Sequence, residues 1–142
     1  MNTDFTIATH ALVYLDHMAC IVSSEQLADN ICTNPARVRK VMAHLVGAGL
    51  ATSKAGANGG YAIGSDAASI TLDKVADASG VSFVNASWRS GDIDRDCLVS
   101  SGMGPLMDGI YADLDNACRN HLSTISIADI GREIFGKEAI SA

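Results

Sequence analysis

Apolar residues recur along this chain in two rhythms, one helical and one extended. From Asp4 to Ala19, the residues Ile7, Ala11, Leu12, Leu15 and Met18 fall at helical spacing, with Thr3 or Asp4 as the cap. Ser23 and Gln26 stand at capping-box spacing ahead of a short helix whose buried side is Leu27, Ala28 and Ile31. Asn34 then caps, and Pro35 opens, a longer helix with Val38, Val41, Met42, Leu45 and Val46 along one stripe. Gly49 ends that helix. Leu50 to Ser53 and Tyr61 to Ile63 read as short strands, joined by the glycine-rich run Lys54 to Gly60.

Beyond the hairpin, Thr71 to Ser79 reads as a short helix capped by Thr71 and stopped by Gly80, and Val81 to Val84 as a strand or extended connection. From Asn85 to Gly104 the composition shifts to Ser, Gly, Asp and Arg, which predicts a flexible linker loop. Pro105 is then expected to open a helix of about 18 residues, long enough that its apolar side needs cover. That side carries Leu106, Ile110, Leu114, Ala117, Cys118 and His121 or Leu122. Ser126 and Asp129 restart a terminal helix with Ile127, Ile130, Ile134 and Phe135. The expected fold is mainly α with a small β-hairpin wing. Residues 1–84 would form a winged helix-turn-helix, 85–104 a linker, and 105–142 a dimerisation helix and a terminal helix. The cover for the long helix is expected to be the same helix of a second subunit.

Charge gives the helix from Asn34 a direction. The chain has 10 Lys and Arg against 16 Asp and Glu, a net of -6. No acidic residue lies between Asn30 and Ser65, while Arg37, Arg39, Lys40 and Lys54 do. Standing alone, such a helix would be an ordinary surface helix with solvated charges. Here Ala36, Lys40, Ala43 and His44 lie opposite the apolar stripe and Arg37 and Arg39 flank it, so small residues and cations share the outer face. Only Cys32 and Thr33 separate this helix from the short one before it, which suits a helix-turn-helix entering a phosphate-lined groove. The glycines Gly56, Gly59 and Gly60 could also suggest a phosphate loop, but they run into a strand with no Gly-Lys-Ser/Thr ending.

No apolar run is long enough to span a membrane and the N-terminus lacks the pattern of a secretory signal, so a soluble, cytoplasmic protein is expected. Four cysteines then read as thiols or ligands rather than a disulfide framework. Cys20 and Cys118 read as small hydrophobes, and His10 and His17 as structural or solvated. Cys32, just before a helix N-terminus and near Arg37 and Arg39, is favoured as thiolate, whereas the acidic neighbours of Cys97 oppose its ionisation. A redox switch with Cys32 attacking and Cys97 resolving, from the same or the partner subunit, stands beside the alternative of two unreactive thiols. A single cysteine in 85–104 does not suit an iron–sulfur cluster, and no cofactor or metal is expected.

Several motifs in order resemble the Rrf2 family of bacterial transcriptional regulators. They are Ser24-Glu25-Gln26-Leu27-Ala28, Thr33-Asn34-Pro35 with Val38-Arg39-Lys40, Gly47-Ala48-Gly49-Leu50, Gly59-Gly60-Tyr61 and Ile70-Thr71-Leu72. Cys97-Leu98-Val99 and the closing Ser126-Ile127-Ala128-Asp129-Ile130 extend the resemblance over nearly the whole chain. It implies a homodimer, each subunit with a winged helix-turn-helix and a long crossing helix between them, repressing genes from a palindrome-like double-stranded DNA operator. Carried over by position, the DNA-binding residues are Ser24, Thr33, Asn34, Ala36, Arg37, Arg39 and Lys40. The wing from Ser53 to Asn58, with Lys54 and Gly56, would enter a minor groove. Where many members have Arg-Gly in the wing, this chain has Ala55-Gly56, leaving Lys54 or Asn58 for that contact. The single Cys97 resembles the cluster-free subgroup. The sequence leaves the signal open, with an oxidant or a small molecule as candidates, and no catalytic activity is expected. A thiol-dependent enzyme would want a C-x-x-C or an organised Cys-His pair, and neither spacing is present. A helical module that binds another protein through the same basic face is the other alternative.

Overall fold

The computed structural model describes the backbone of residues 2–141 and the side chains of residues 2–136. Helix α1 (Thr3–Met18) is the central element, and α2 (Ser24–Ile31), α3 (Pro35–Gly47), α4 (Leu72–Ser79) and α6 (Ile127–Ser141) pack around it. Its Leu12 and Leu15 are fully buried with Leu27 of α2, Met42 and Leu45 of α3, and Ile70 and Ile127. Burying a large apolar side chain contributes about 1.5–3 kcal/mol, so this cluster fixes how α2 and α3 sit relative to each other.

The short helix starts as its sequence dictates. Ser23 Oγ accepts from the Gln26 N–H at 3.1 Å, and Gln26 Oε1 accepts from the Ser23 N–H at 3.0 Å. Asn34 Oδ1 accepts from the Arg37 N–H at 2.8 Å, with Pro35 at the first helical position, where its missing N–H costs nothing. The wing is the antiparallel pair β1 (Ala51–Lys54) and β2 (Gly60–Ile63), in the register Ala51 to Ile63 and Lys54 to Gly60. Val22 adds an antiparallel bridge to Tyr61, with both hydrogen bonds at 2.8 Å, so the lead into α2 is stitched to the wing.

Several expectations are corrected. Helix α1 is preceded by Asn2 at the capping position, where no side-chain cap bond forms. Thr71 is the N-cap of α4 as expected, but its side chain makes no cap bond, its hydroxyl being bonded to the Asp73 carboxylate. Val81 to Val84 form no strand; the Phe83 and Val84 N–H groups donate to Asp115 Oδ1 at 2.7 and 3.0 Å. The long helix α5 is Leu98–Leu122, with Pro105 inside it rather than at its start. A proline mid-helix deprives the carbonyl four residues back of its donor. That carbonyl belongs to Ser101, and Pro105 beside it is exposed, so water can serve the group. The last part of the expected linker is therefore helical and Cys97 is the N-cap of α5. Cys20 is exposed, not a buried hydrophobe.

Ser126 and Asp129 restart the chain as expected, each side chain accepting the other's backbone N–H, at 3.0 and 2.9 Å. The Ser126 N–H, and then its hydroxyl, hold the Asp129 carboxyl below its ordinary range. No helix of the described residues is long and apolar enough to cross a membrane.

Candidate nucleic-acid interface

The outer face of α3 is open. Ala36, Arg37, Arg39, Lys40, Ala43 and His44 are exposed, while Val38, Val41, Met42 and Leu45 face the core. This division follows from the apolar period alone. The two arginines are held by carboxylates outside the basic window. Arg37 Nη2 lies 3.1 Å from Asp4 Oδ1 on α1, with the two side chains 45% and 35% exposed. Arg39 Nη1 donates to Ser24 Oγ at 3.3 Å and lies 3.8 Å from Glu25 Oε1, both at the start of α2. Among the described residues Lys40 forms no ion pair, so its ammonium is free for a phosphate.

A cleft of about 330 Å³ lies between the start of α2 and the wing, lined by Ser24, Glu25, Ser53, Lys54 and Gly56 among others. Ser24, Ser53, Lys54 and Gly56 are thus brought together, and the Arg39–Ser24 hydrogen bond connects them to α3. Asn58 is exposed in the turn of the hairpin and is not part of the cleft wall. Thr33 is half-buried in the turn between α2 and α3, its N–H donating to the Ala28 carbonyl at 3.0 Å. The wing turn needs its glycines: Gly56 has φ +104°, and a Cβ on Gly59 would sit 2.2 Å from the Lys54 carbonyl oxygen. Asp4 and Glu25 are the participants that sequence reasoning missed. Glu25 could have been noticed, since it lies just outside the acid-free stretch, whereas nothing local connects Asp4 to Arg37.

The cysteines are placed differently from one another. Cys32 caps the C-terminus of α2 in left-handed backbone, φ 65°, and is exposed. Cys97 is exposed at the N-terminus of α5, where the neighbouring Ser100 and Val99 amides draw its thiol below the usual cysteine range. Amides at a helix N-terminus thus favour the Cys97 thiolate, against the opposition expected from its acidic neighbours.

The family model described as "Rrf2: Iron-dependent Transcriptional regulator" matches residues 1–133. No curated protein matches the chain. Among solved structures, a candidate transcriptional regulator from Lactobacillus plantarum is similar at 22% identity, covering 100% of both chains with a TM-score of 0.79. A candidate DNA binding protein is similar at 26% identity, over 90% of this chain and 98% of that one, with a TM-score of 0.72. CymR, the global cysteine regulator of B. subtilis, is similar in fold at 18% identity, over 94% and 96%, with a TM-score of 0.67. The iron in the family description finds no iron–sulfur donor set here: Cys97 is the one cysteine of the segment 85–104. Among the described residues, moreover, no three His, Cys, Asp or Glu side chains gather as metal ligands. The fold, the matched family and the exposed basic helix agree: this chain belongs to the Rrf2 family of transcriptional regulators, which bind DNA.

Proposed function

We propose that the protein is a repressor that acts as a homodimer on a palindrome-like operator, placing α3 in the major groove and the wing against the adjacent minor groove. One observation carries the reading: Arg37, Arg39 and Lys40 are exposed on one helix face, and Arg39 is bonded to the residue that lines the wing cleft with Lys54. Small Ala36 and Ala43 on the same face let the backbone approach base edges, while the cations meet phosphates. Dimerisation is supported by Leu106, Ile110 and Leu114 of α5, which are 60%, 43% and 48% exposed in the single chain.

Anisotropy titrations of promoter fragments at two salt concentrations test the DNA reading. Lys40→Ala is expected to weaken operator binding while the dimer persists, and to flatten the log–log salt dependence by about one unit for one lost phosphate contact. Unchanged affinity in both Lys40→Ala and Arg39→Ala would remove α3 from the interface.

Oxidant sensing by Cys32 and Cys97 is the regulatory part of the proposal, with the low-lying Cys97 thiol as its support. Peroxide treatment followed by a non-reducing gel and peptide mass spectrometry is expected to give a Cys32–Cys97 cross-link. Its absence, with both thiols still free, rejects a switch of this form.

A further inference from the structure

Arg39 closes a ring of polar contacts with the start of α2. Its Nη1 donates to Ser24 Oγ at 3.3 Å, the Ser24 hydroxyl donates to Glu25 Oε2 at 3.2 Å, and Glu25 Oε1 lies 3.8 Å from the same Nη1. The ring engages one arm of the guanidinium. Nε and Nη2 take no part in it and are left as a fork of N–H donors. The capping box of Ser23 and Gln26 fixes where α2 begins, so Ser24 and Glu25 are placed by the helix start and not by the arginine.

The ring lies on the side of α3 that admits a close approach. Around the helix Arg39 is about 40° from Ala43 and about 60° from Ala36, whereas Arg37 is about 20° from His44 and about 60° from Lys40. One flank of the exposed face therefore sets an arginine beside two small side chains, and the other gathers Arg37, Lys40 and His44. The small flank brings base edges within reach, and the cationic flank suits phosphates.

Charge separates the two uses further. A phosphate must compete with Glu25 for Arg39 and is repelled by that carboxylate. Guanine O6 and N7 are neutral acceptors that the remaining fork can meet as a pair. Glu25 is the only acid among the described residues that line the wing cleft, and its side chain is 71% exposed, so it confronts any phosphate entering between α2 and the wing. So exposed an ion pair adds little to stability, and its consequence lies in which acceptor Arg39 takes. We infer that Ser24 and Glu25 are specificity-determining positioning residues, holding Arg39 toward a guanine edge in the major groove and away from the DNA backbone. The inference rests on the DNA reading of α3 and deepens it: Arg39 reads sequence, Lys40 binds phosphate, and Ser24 acts through Arg39. Part of the ordering of this long side chain is then complete before DNA arrives.

Selection from a pool of randomised duplexes by the full chain, with sequencing of the bound fraction, tests this. The wild-type consensus is expected to contain a G·C pair whose preference falls by about 5- to 100-fold in Arg39→Lys, which keeps the charge and loses the fork, while other positions are retained. Glu25→Gln keeps the side-chain length and removes the charge. It is expected to lower the preference at that same pair, to tighten binding to unrelated duplex, and to steepen the log–log salt dependence on that duplex by about one unit, for one added phosphate contact. Ser24→Ala should lower the same preference, and Ser24→Thr, which retains a hydroxyl, should restore it. A role confined to starting α2 would instead weaken all sequences alike and lower the melting temperature, and that pattern would overturn the inference. So would a Glu25→Gln variant with both base preference and salt slope unchanged. The DNA reading fails separately: a wild-type protein that enriches no sequence overturns that reading and the inference with it, whereas a consensus indifferent to Arg39→Lys overturns the inference alone.

Discussion

Arg37 on α3 and Asp4 on α1 form an ion pair at 3.1 Å across 33 positions of sequence, so a cation on the reading face is tied to the element at the centre of the core. Both side chains are more than a third exposed, so the pair adds little to stability, about 0–1 kcal/mol before solvent screening reduces it. Its effect is on geometry and local charge. Asp4→Asn is expected to leave the denaturation midpoint nearly unchanged and to tighten binding to unrelated DNA more than to the operator. The freed guanidinium gains phosphate contacts and loses its fixed direction. Competition titrations read the ratio, and an unaltered ratio means that Asp4 does not orient Arg37.

The wing is held by close backbone approach at Gly60. A Cβ there would lie 2.3 Å from the Val22 carbonyl oxygen, and φ is +153°. The Val22–Tyr61 bridge occupies the same place, so the strand cannot move aside without losing two hydrogen bonds. Gly60→Ala is expected to cost about 2–4 kcal/mol in urea unfolding, from backbone strain plus the lost bridge. Gly47→Ala, where nothing lies within 4 Å, is the control and should be neutral or stabilising. Equal costs at the two sites would contradict the packing described.

Much of this was legible from local rules. The capping pairs Ser23–Gln26 and Ser126–Asp129 form where their spacing placed them, Asn34 caps its helix, and along the stripe Val38, Val41, Met42 and Leu45 are buried and Val46 is half-buried. What failed depended on distant partners. Pro105 reads as a start signal because proline fits a first turn, whereas in the fold the helix runs through it. Val81 to Val84 read as a strand or an extended connection; they form a connection without strand pairing, and nothing in sequence shows that Asp115 will take two of its amides. Asp4 and Glu25 fall outside the acid-free window that marked the site, and both fold back onto its arginines.

Cys97 is the thiol whose ionised form the backbone favours, through the Ser100 and Val99 amides. Thiolate is the form that alkylates. In a pH series with iodoacetamide followed by peptide mass spectrometry, Cys97 is expected to react before the half-buried Cys118, with a midpoint below the ordinary thiol value of 9.0. Ser101→Pro would be a poor control, since it disturbs the helix itself. Cys97→Ser tests instead whether the fastest-labelled peptide disappears. A midpoint at or above the ordinary value would show that Asp94 and Asp96 dominate after all.

Asp115 connects the long helix to the winged domain, and its contribution depends on pH. Its carboxylate accepts the Val84 and Phe83 amides and also faces Arg119, and these contacts hold it below the ordinary value of 3.8. A carboxyl depressed in the folded state stabilises the fold above its unfolded pKa, and the effect is lost as pH falls through the folded value. Wild type should therefore exceed Asp115→Asn in melting temperature by a constant margin from neutrality down to about pH 5, with the two converging below about pH 4. Asp115→Ala, which removes the acceptor altogether, should be less stable than Asp115→Asn at neutral pH and keep a deficit in acid. Because Phe83 packs on Phe5, both variants should also loosen the start of α1, read as faster amide exchange at residues 3–9. If the gap between wild type and Asp115→Asn does not change with pH, the amides and not the charge carry the contact.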